Sequence, residues 1–137
     1  MRMATIVAAA WLATAAPAWA AQPITGRWLT EDRSAVIEIG RCGATVCGRI
    51  ARVLIAKPNA PTTDAANPDA ALRNRPIVGL PILTGFTDGG DDWRGRIYDP
   101  RRGKTYKSIV SRQPDGSLKV QGCIAFICQT QTWRKAP

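Results

Sequence analysis

The sequence predicts an all-β fold in which eight short antiparallel strands close into a barrel with one long connection. Runs rich in β-branched and aromatic residues are separated by short segments of Gly, Pro, Asp and Asn. Apolar and polar residues alternate within several runs, as in Ala35-Val36-Ile37-Glu38-Ile39, which is typical of half-buried strands. Short strands with hairpin-length connections favour a meander, and closing it into a barrel removes the exposed sheet edges.

The strands are predicted in chain order, each bounded by turn-forming residues. They lie at residues 25–30, 34–40, 46–55, 77–86, 93–99, 104–112, 117–124 and 128–134. Residues 87–92, 100–103 and 113–116 combine Asp, Gly or Pro and are expected to be turns. Pro81 cannot donate to a ladder, so the fourth strand is expected to lie at an edge or to contain a bulge.

The connection at residues 57–76 contains four prolines and shows no strand pattern. Asn67-Pro68-Asp69 is typical of an N-cap followed by Pro at the first helical position, so one or two helical turns are predicted at residues 68–73. A connection of this length is often functional when it is ordered. The alternative is a solvated flap that covers one open end of the barrel.

Residues 1–20 are predicted to be a signal peptide. Arg2 precedes an apolar run, and Ala18-Trp19-Ala20 is typical of a signal peptidase site. The run is shorter than the about 20 apolar residues that span a membrane, and every later apolar run is interrupted by a charged residue or Gly. The alternative to a signal peptide is a buried N-terminal helix. We therefore expect one domain at residues 21–137, with its core at about 25–135, in a periplasmic or secreted protein.

The four cysteines form two C-x4-C pairs, Cys42 with Cys47 and Cys123 with Cys128. A zinc site would be considered in a cytosolic chain. In an exported chain an even number of cysteines favours disulfides, for which three connectivities exist. Because each pair lies near a predicted hairpin end, we expect the bonds Cys42–Cys47 and Cys123–Cys128.

The absence of His limits the chemistry that the chain can perform. His is the commonest general base and metal ligand, so Ser-His-Asp, Cys-His and His-based zinc sites are excluded. The adjacent Asp91 and Asp92 are better explained by a turn than by a calcium loop. We expect no catalysis, no cofactor and no metal; a hydrolase-like activity without His is the alternative.

A barrel of eight strands is either filled by side chains or holds one small ligand, and ligand pockets are mostly apolar with a few polar groups. We therefore expect binding of a small apolar or amphiphilic ligand. The candidate residues are Trp93, Tyr98 and Tyr106 on the strands and Asp64, Asn67, Arg73 and Arg75 on the long connection. The alternatives are a core or rim position for Trp93, cross-strand packing of the two tyrosines, and solvated or helix-capping arginines.

Basic residues outnumber acidic ones by 19 to 10, a net charge of +9. They crowd the fifth and sixth strands, where Arg94, Arg96, Arg101 and Arg102 could contact anionic lipid, lipopolysaccharide or cell-wall polymer through bidentate hydrogen bonds. Nucleic acid is the usual partner of such charge, but the expected compartment argues against it. A generally cationic surface is the other alternative.

The first and last strands carry a resemblance to the calycin barrels, the lipocalins and their relatives. Gly26-x-Trp28 opens the first strand, and Arg134 lies near the end of the last. In those folds the Arg lies across the indole and shuts one end of the barrel. The resemblance therefore implies that Arg134 covers Trp28, a contact that contributes about 0.5–2 kcal/mol.

A second resemblance extends over almost the whole chain after residue 25. The motifs that carry it are Gly26-x-Trp28, Cys47-Gly48-x-Ile50, Asn67-Pro68-Asp69, Arg73-x-Arg75-Pro76-Ile77-Val78-Gly79, Trp93-x-Gly95-x-Ile97-Tyr98-x-Pro100, Gly103-x-x-Tyr106, Gly122-Cys123 and Thr132-Trp133-Arg134. This series resembles the DUF2147 family, small exported bacterial proteins of unknown function. The resemblance implies a lipocalin-like barrel of eight strands and names no substrate.

Overall fold

The barrel closes through eight antiparallel strands in sequence order, with β8 paired to β1. The computed structural model describes residues 9–13 and 20–137. The strands are β1 Gly26–Leu29, β2 Ala35–Cys42, β3 Thr45–Val53, β4 Pro81–Asp88, β5 Trp93–Asp99, β6 Lys104–Arg112, β7 Leu118–Ile124 and β8 Ile127–Lys135. The predicted all-β barrel is thus confirmed, whereas the predicted signal peptide at residues 1–20 lies largely outside the described residues.

The long connection differs from its prediction in its helical content. It contains a single 3-10 turn, Ala70–Leu72, whose N-cap is Asp69 and not Asn67. The Asp69 side chain accepts from the Ala71 amide, while the Asn67 side chain accepts from the Asp69 amide in a preceding turn. In the part of the chain that the structure describes, no helix is long and apolar enough to cross a membrane.

The fourth strand begins at Pro81 and is not an edge strand, because it pairs with both β3 and β5. The register of β3 against β4 shifts between Gly48 and Arg49, next to the residue that pairs with Pro81. The missing N–H of Pro81 is therefore accommodated at a bulge, which was one of the two expectations for this position.

The alternating strand directions place the connections at two ends of the barrel. The loop end carries the turns β1–β2, β5–β6 and β7–β8 together with the long connection at residues 54–80. The terminal end carries the start of β1, the end of β8 and the other three turns. These two names are used below.

Large apolar side chains form one buried cluster in the barrel interior. The most deeply buried ones include Trp28, Ile37, Phe86, Leu118 and Trp133, all in one apolar cluster. Their strands contribute them at alternate positions, and the cluster continues to Leu80 at the loop end. The barrel interior is a core rather than a container.

The cation that covers Trp28 is Arg112, whose guanidinium carbon lies 5.1 Å from the ring centroid. The prediction that Arg134 does so is wrong. Arg134 pairs in register with Leu29, the neighbour of Trp28, so strand alternation turns it to the outer face. There its guanidinium lies 4.0 Å from the carboxylate of Asp115. Arg112 ends β6 on the inner face, opposite the buried Leu118.

Both predicted disulfides are present and each brackets a hairpin turn. Cys42–Cys47 closes the β2–β3 turn at the terminal end, and Cys123–Cys128 closes the β7–β8 turn at the loop end. In the chain-entropy model each short loop contributes about 2 kcal/mol to the free energy of unfolding. The two hairpin tips are thus held in the same covalent manner at opposite ends.

The segment before β1 crosses the terminal end and closes it. Ile24 is buried, and its carbonyl accepts from the indole of Trp28 at 2.9 Å. The carbonyl of Gln22 accepts from the indole of Trp93, also at 2.9 Å. The amide nitrogen of Ala21 donates to both carboxylate oxygens of Asp88, at 3.1 and 3.2 Å.

Cleavage after Ala20 would turn the nitrogen of Ala21 into an α-ammonium group, and its contact with Asp88 into an ion pair. We expect Asp88→Asn to lower the free energy of unfolding of the cleaved chain by about 1 kcal/mol, and that of the uncleaved chain by less. Urea unfolding of a chain whose first residue is established by intact mass checks this, with the exposed Asp91→Asn as control. An equal loss in both chains, an equal loss from the control, or a first residue other than Ala21 contradicts the expectation.

Candidate functional site

Part of the long connection lies against the outer wall of β4, β5 and β6. A Cβ on Gly95 would lie 2.6 Å from the ring of Phe86, so Gly95 faces the interior. Strand alternation then turns Arg96 outward, and Tyr98 with it. Because Tyr98 bonds to residue 64 of the connection, this segment covers the wall and not the open end, contrary to the flap alternative.

The carboxylate of Asp64 is the centre of the contact between the connection and the wall. Asp64 is fully buried. Its Oδ1 accepts from the hydroxyl of Tyr98 at 2.5 Å, and its Oδ2 accepts from Asn67 Nδ2 at 2.7 Å and from Arg75 Nη2 at 3.0 Å. A buried carboxylate with three donors, one of them cationic, is electrostatically compensated.

The pKa values follow from this arrangement. Burial by itself would raise the pKa of Asp64, but the hydrogen bonds from Tyr98, Asn67 and Arg75 outweigh it, and the pKa lies below its usual value. For Tyr98, burial and the bond to Asp64 raise the pKa to about 12. The site therefore holds a carboxylate and a neutral phenol at physiological pH.

Two further contacts fix the position of the connection. The guanidinium of Arg73 donates through Nε to the backbone carbonyl of Asn67 at 2.8 Å. Gly103, in the β5–β6 turn with φ +64°, packs so closely on the backbone of Ala66 that a Cβ would overlap the Ala66 carbonyl. Glycine is thus required at this position both for its backbone conformation and for the close approach.

A depression of about 480 Å³, here called the wall depression, opens between the connection and the barrel wall. It is lined by Asn67, Pro68, Arg75, Pro81, Thr84, Tyr98, Gly103 and Thr105. Arg75 stands at its edge with a side chain that is 37% exposed. Its Nε is buried without an acceptor among the described residues, so the bond to Asp64 does not exhaust its donors.

A second depression of about 380 Å³, the rim depression, adjoins the first and shares Thr105 with it. It lies between the start of β6 and the β7–β8 turn, and it is lined by Arg96, Lys104, Thr105, Tyr106, Lys107, Cys123, Ile124 and Ala125. Three cations and apolar side chains therefore meet in one open surface. Among the described residues, neither depression is lined by an acidic side chain.

The structure brings four of the seven predicted ligand residues into one cluster, namely Asp64, Asn67, Arg75 and Tyr98. In this cluster Asp64 binds protein donors and stabilises the connection. Arg73 stabilises the same segment by donating to the backbone carbonyl of Asn67. These predicted residues therefore lie together, but the contacts that the structure shows among them are structural.

The remaining predicted aromatic residues lie elsewhere. Tyr106 pairs with the inward-facing Ile97 and lines the rim depression, whereas Tyr98 pairs with Thr105 on the outer face. The two tyrosines are thus on opposite faces and are not cross-strand packing partners. Trp93 lies at the terminal end and is not part of the cluster.

The four arginines predicted to contact anionic surfaces are mostly paired with carboxylates. Arg94 lies 3.0 Å from Asp92, Arg101 lies 3.2 Å from Asp32, and Arg102 lies 4.0 Å from Asp99. Arg96 forms no ion pair within the described part of the chain and lines the rim depression. A face made of these four residues would thus be largely neutralised.

No sequence pattern pointed to Gly103 or Thr105 as site residues, and Lys104 and Lys107 belonged only to the basic region of the fifth and sixth strands. A turn was predicted at residues 100–103, but neither the positive φ of Gly103 nor its contact with Ala66 was. The register that pairs Tyr98 with Thr105 across that turn brings residues of β6 to the site. Within the described residues, no three His, Cys, Asp or Glu side chains are grouped so that they could hold a metal ion.

Comparisons with known proteins agree with the architecture. The family model described as an uncharacterized protein conserved in bacteria (DUF2147) matches residues 26–135. The structure is similar to that of HP1028 from the human pathogen Helicobacter pylori, which belongs to the lipocalin family, with a TM-score of 0.73, 20% identity and 84% of each chain covered. No curated protein matches the sequence. The likeness to HP1028 confirms the lipocalin-like fold.

Gly103→Ala is expected to displace the connection from the wall. Gly43 has nearly the same φ, +65°, but nothing lies within 4 Å of its added Cβ, so Gly43→Ala is the matched control. Both variants introduce about 1 kcal/mol of backbone strain, and only Gly103→Ala adds the overlap with Ala66. We expect Gly103→Ala to lower the free energy of unfolding more than Gly43→Ala does. Only Gly103→Ala should speed amide exchange at residues 62–76. Equal effects of the two variants would contradict the close approach.

The lowered pKa of Asp64 predicts a specific dependence of stability on pH. The folded state binds this proton less readily than the unfolded state, so the stabilisation is complete above the usual value of 3.8 and is lost as the pH falls below it. We expect Asp64→Asn to lower the free energy of unfolding by about 1–3 kcal/mol at neutral pH. The difference from the wild type should narrow as the pH falls through about 3.8.

Urea unfolding between neutral pH and about pH 3 measures this difference, and Asp91→Asn on an exposed turn serves as control. A gap between wild type and Asp64→Asn that stays constant over the series would show that the carboxylate charge does not stabilise the connection.

Proposed function

The chain belongs to the DUF2147 family, and we propose that it is an exported protein that binds a small amphiphilic ligand with an anionic head group. The ligand would be held at the loop end, in the rim and wall depressions, and released unchanged. This proposal keeps the amphiphilic ligand predicted from the sequence and moves it from the barrel interior to the rim.

The observation that carries the proposal is the composition of the rim depression. Arg96, Lys104 and Lys107 line it together with Tyr106 and Ile124. The three cations form no ion pairs within the described residues, so their charge is available to a ligand. Cations beside an exposed aliphatic side chain match a ligand that has both an anionic and an apolar part.

The wall depression supports a second point of contact for the head group. Thr84, Tyr98, Thr105 and Asn67 present neutral hydrogen-bonding groups there. Arg75 adds a guanidinium whose charge is already balanced by Asp64. These groups would orient a polar head group through hydrogen bonds, while the rim cations supply the attraction.

The packed interior favours a rim site over a buried one. Eight-stranded barrels, lipocalins among them, either fill their interior or hold one small ligand. Here the buried apolar cluster that includes Trp28, Phe86 and Trp133 occupies the interior and continues to Leu80 at the loop end. The apolar part of the ligand is therefore assigned to the exposed surface around Ile124.

Two features support export and a binding role without catalysis. Both disulfides suit an oxidising compartment outside the cytoplasm. The chain has no His to act as a general base, and the one buried carboxylate of the site, Asp64, already accepts hydrogen bonds from three protein groups. A periplasmic or secreted binding protein is the role that these features favour.

Titration with lysophosphatidylglycerol below its micelle concentration tests the proposal, with lysophosphatidylcholine as the zwitterionic comparison. We expect the anionic ligand to bind more tightly, and Lys104→Gln/Lys107→Gln to weaken it at least about tenfold, the loss expected from removing charged hydrogen bonds. Calorimetry gives the affinities, and amide chemical shifts locate the site.

Lys119→Gln/Lys135→Gln is the matched control, because it removes the same charge from exposed positions on β7 and β8 outside both depressions. Equal weakening by the control pair, or equal affinity for both lysolipids, would show that the rim depression does not recognise the head group. A complete lack of binding would refute the proposed function.

A further inference from the structure

Between residues 20 and 137, large apolar side chains are exposed at one end of the barrel. Within residues 20–137, the exposed large hydrophobic residues are Val53, Leu54, Ile55, Val78, Ile124, Phe126 and Ile127. All of them belong to the end of β3, the long connection or the β7–β8 turn, and therefore lie at the loop end. Exposed apolar side chains grouped at one end of a protein often mark an interaction surface.

The β7–β8 tip, defined as residues 124–127, is the most exposed part of this surface. Phe126 is fully exposed, and Ile127 and Ile124 are 78% and 66% exposed. Ala125 adopts φ +52°, a conformation that favours Gly or Asn in a tight hairpin. Phe126 buries no apolar area in the fold and Ala125 adopts a strained conformation, so a surface contact outside the fold would explain both residues.

The other disulfide-closed hairpin, β2–β3, shows that a hairpin closed by a C-x4-C disulfide does not require an exposed apolar tip. The β2–β3 turn has the same C-x4-C spacing, and it carries Gly43 with φ +65° followed by the small Ala44. It thus has the turn residues that the backbone favours. The apolar composition of the β7–β8 tip is specific to the loop end.

Cations lie directly beside the tip. Ile124 and Ala125 line the rim depression together with Lys104, Lys107 and Arg96. A protein segment that inserts apolar side chains below the head groups of a bilayer needs cations at the level of the lipid phosphates. The loop end has this arrangement of charge behind an apolar tip.

We propose that the β7–β8 tip docks the protein on the surface of an anionic lipid bilayer. Phe126 and Ile127 would enter the boundary between head groups and acyl chains, and Lys104 and Lys107 would meet lipid phosphates. The exposed residues at the end of β3 provide a second, weaker contact at the same end. This docking goes beyond the proposed ligand binding and does not require it.

A bilayer fits this surface better than a protein partner does. The exposed side chains belong to separate loops around the barrel rim and do not form one flat face. Protruding tips can each enter a fluid layer without a complementary shape, whereas a protein interface needs matched packing. The adjacent unpaired cations add the charge complementarity that an anionic bilayer supplies.

Co-sedimentation with vesicles of equal parts phosphatidylglycerol and phosphatidylcholine tests the docking, with pure phosphatidylcholine as comparison. We expect binding to the anionic vesicles that weakens as salt shortens the Debye length to about 3 Å. Phe126→Ser/Ile127→Ser should bind at least about tenfold more weakly, because the buried apolar area is lost. Ala44→Phe, added to that double variant, places a Phe on the β2–β3 tip and should not restore binding.

A Phe126→Trp variant provides a direct readout of insertion. Its fluorescence, measured as the difference from wild type, should shift to the blue with anionic vesicles and be quenched by lipids brominated on their acyl chains. The affinity of Phe126→Ser for lysophosphatidylglycerol should equal that of the wild type, since Phe126 does not line either depression. Failure of docking is thereby distinguished from failure of ligand binding.

Four results would overturn the docking proposal. They are equal binding of the wild type to anionic and to pure phosphatidylcholine vesicles, a double serine variant that binds like the wild type, restoration of binding by Ala44→Phe, and no fluorescence shift at position 126. A tip substitution that changes the oligomeric state instead of vesicle binding would assign the surface to a second copy of the chain.

Discussion

The buried carboxylate of Asp64 is the interaction on which the candidate site depends. An ionised carboxylate without partners would be strongly destabilising in this position, but Tyr98 of the barrel wall and Asn67 and Arg75 of the connection donate to it. Because these donors come from two parts of the chain, the carboxylate is satisfied only when the connection lies on the wall. The wall depression therefore exists only in that docked arrangement.

The barrel separates a stabilising end from an open end. At the terminal end, Trp28 is covered by Arg112, and the segment before β1 closes the opening through Ile24. This packing leaves the loop end free to carry exposed apolar side chains and unpaired cations. Surfaces of that kind usually reduce solubility and stability, so a well-packed opposite end and two disulfides help to offset them.

The sequence predicted the strands and disulfides well because these depend on local patterns. Alternation and turn residues define each hairpin, and the two C-x4-C pairs bracket hairpin ends. The covering of Trp28 by Arg112 could not be predicted in this way, because it depends on which face of β6 is turned inward, a result of register. The docking of the connection likewise depends on a contact across 34 positions, between Asp64 and Tyr98, that no local pattern contains.

The two proposed activities use neighbouring groups, and this proximity has a consequence for the ligand. Ile124 and Ala125 belong both to the β7–β8 tip and to the lining of the rim depression. A tip inserted to the depth of the acyl boundary would place Lys104 and Lys107 near the lipid phosphates. An amphiphile leaving the bilayer would then meet the depression head group first, while its apolar part remained in contact with Ile124. The exchange would need no passage through the packed interior around Trp28 and Phe86, so the proposed binding role would be compatible with a filled barrel.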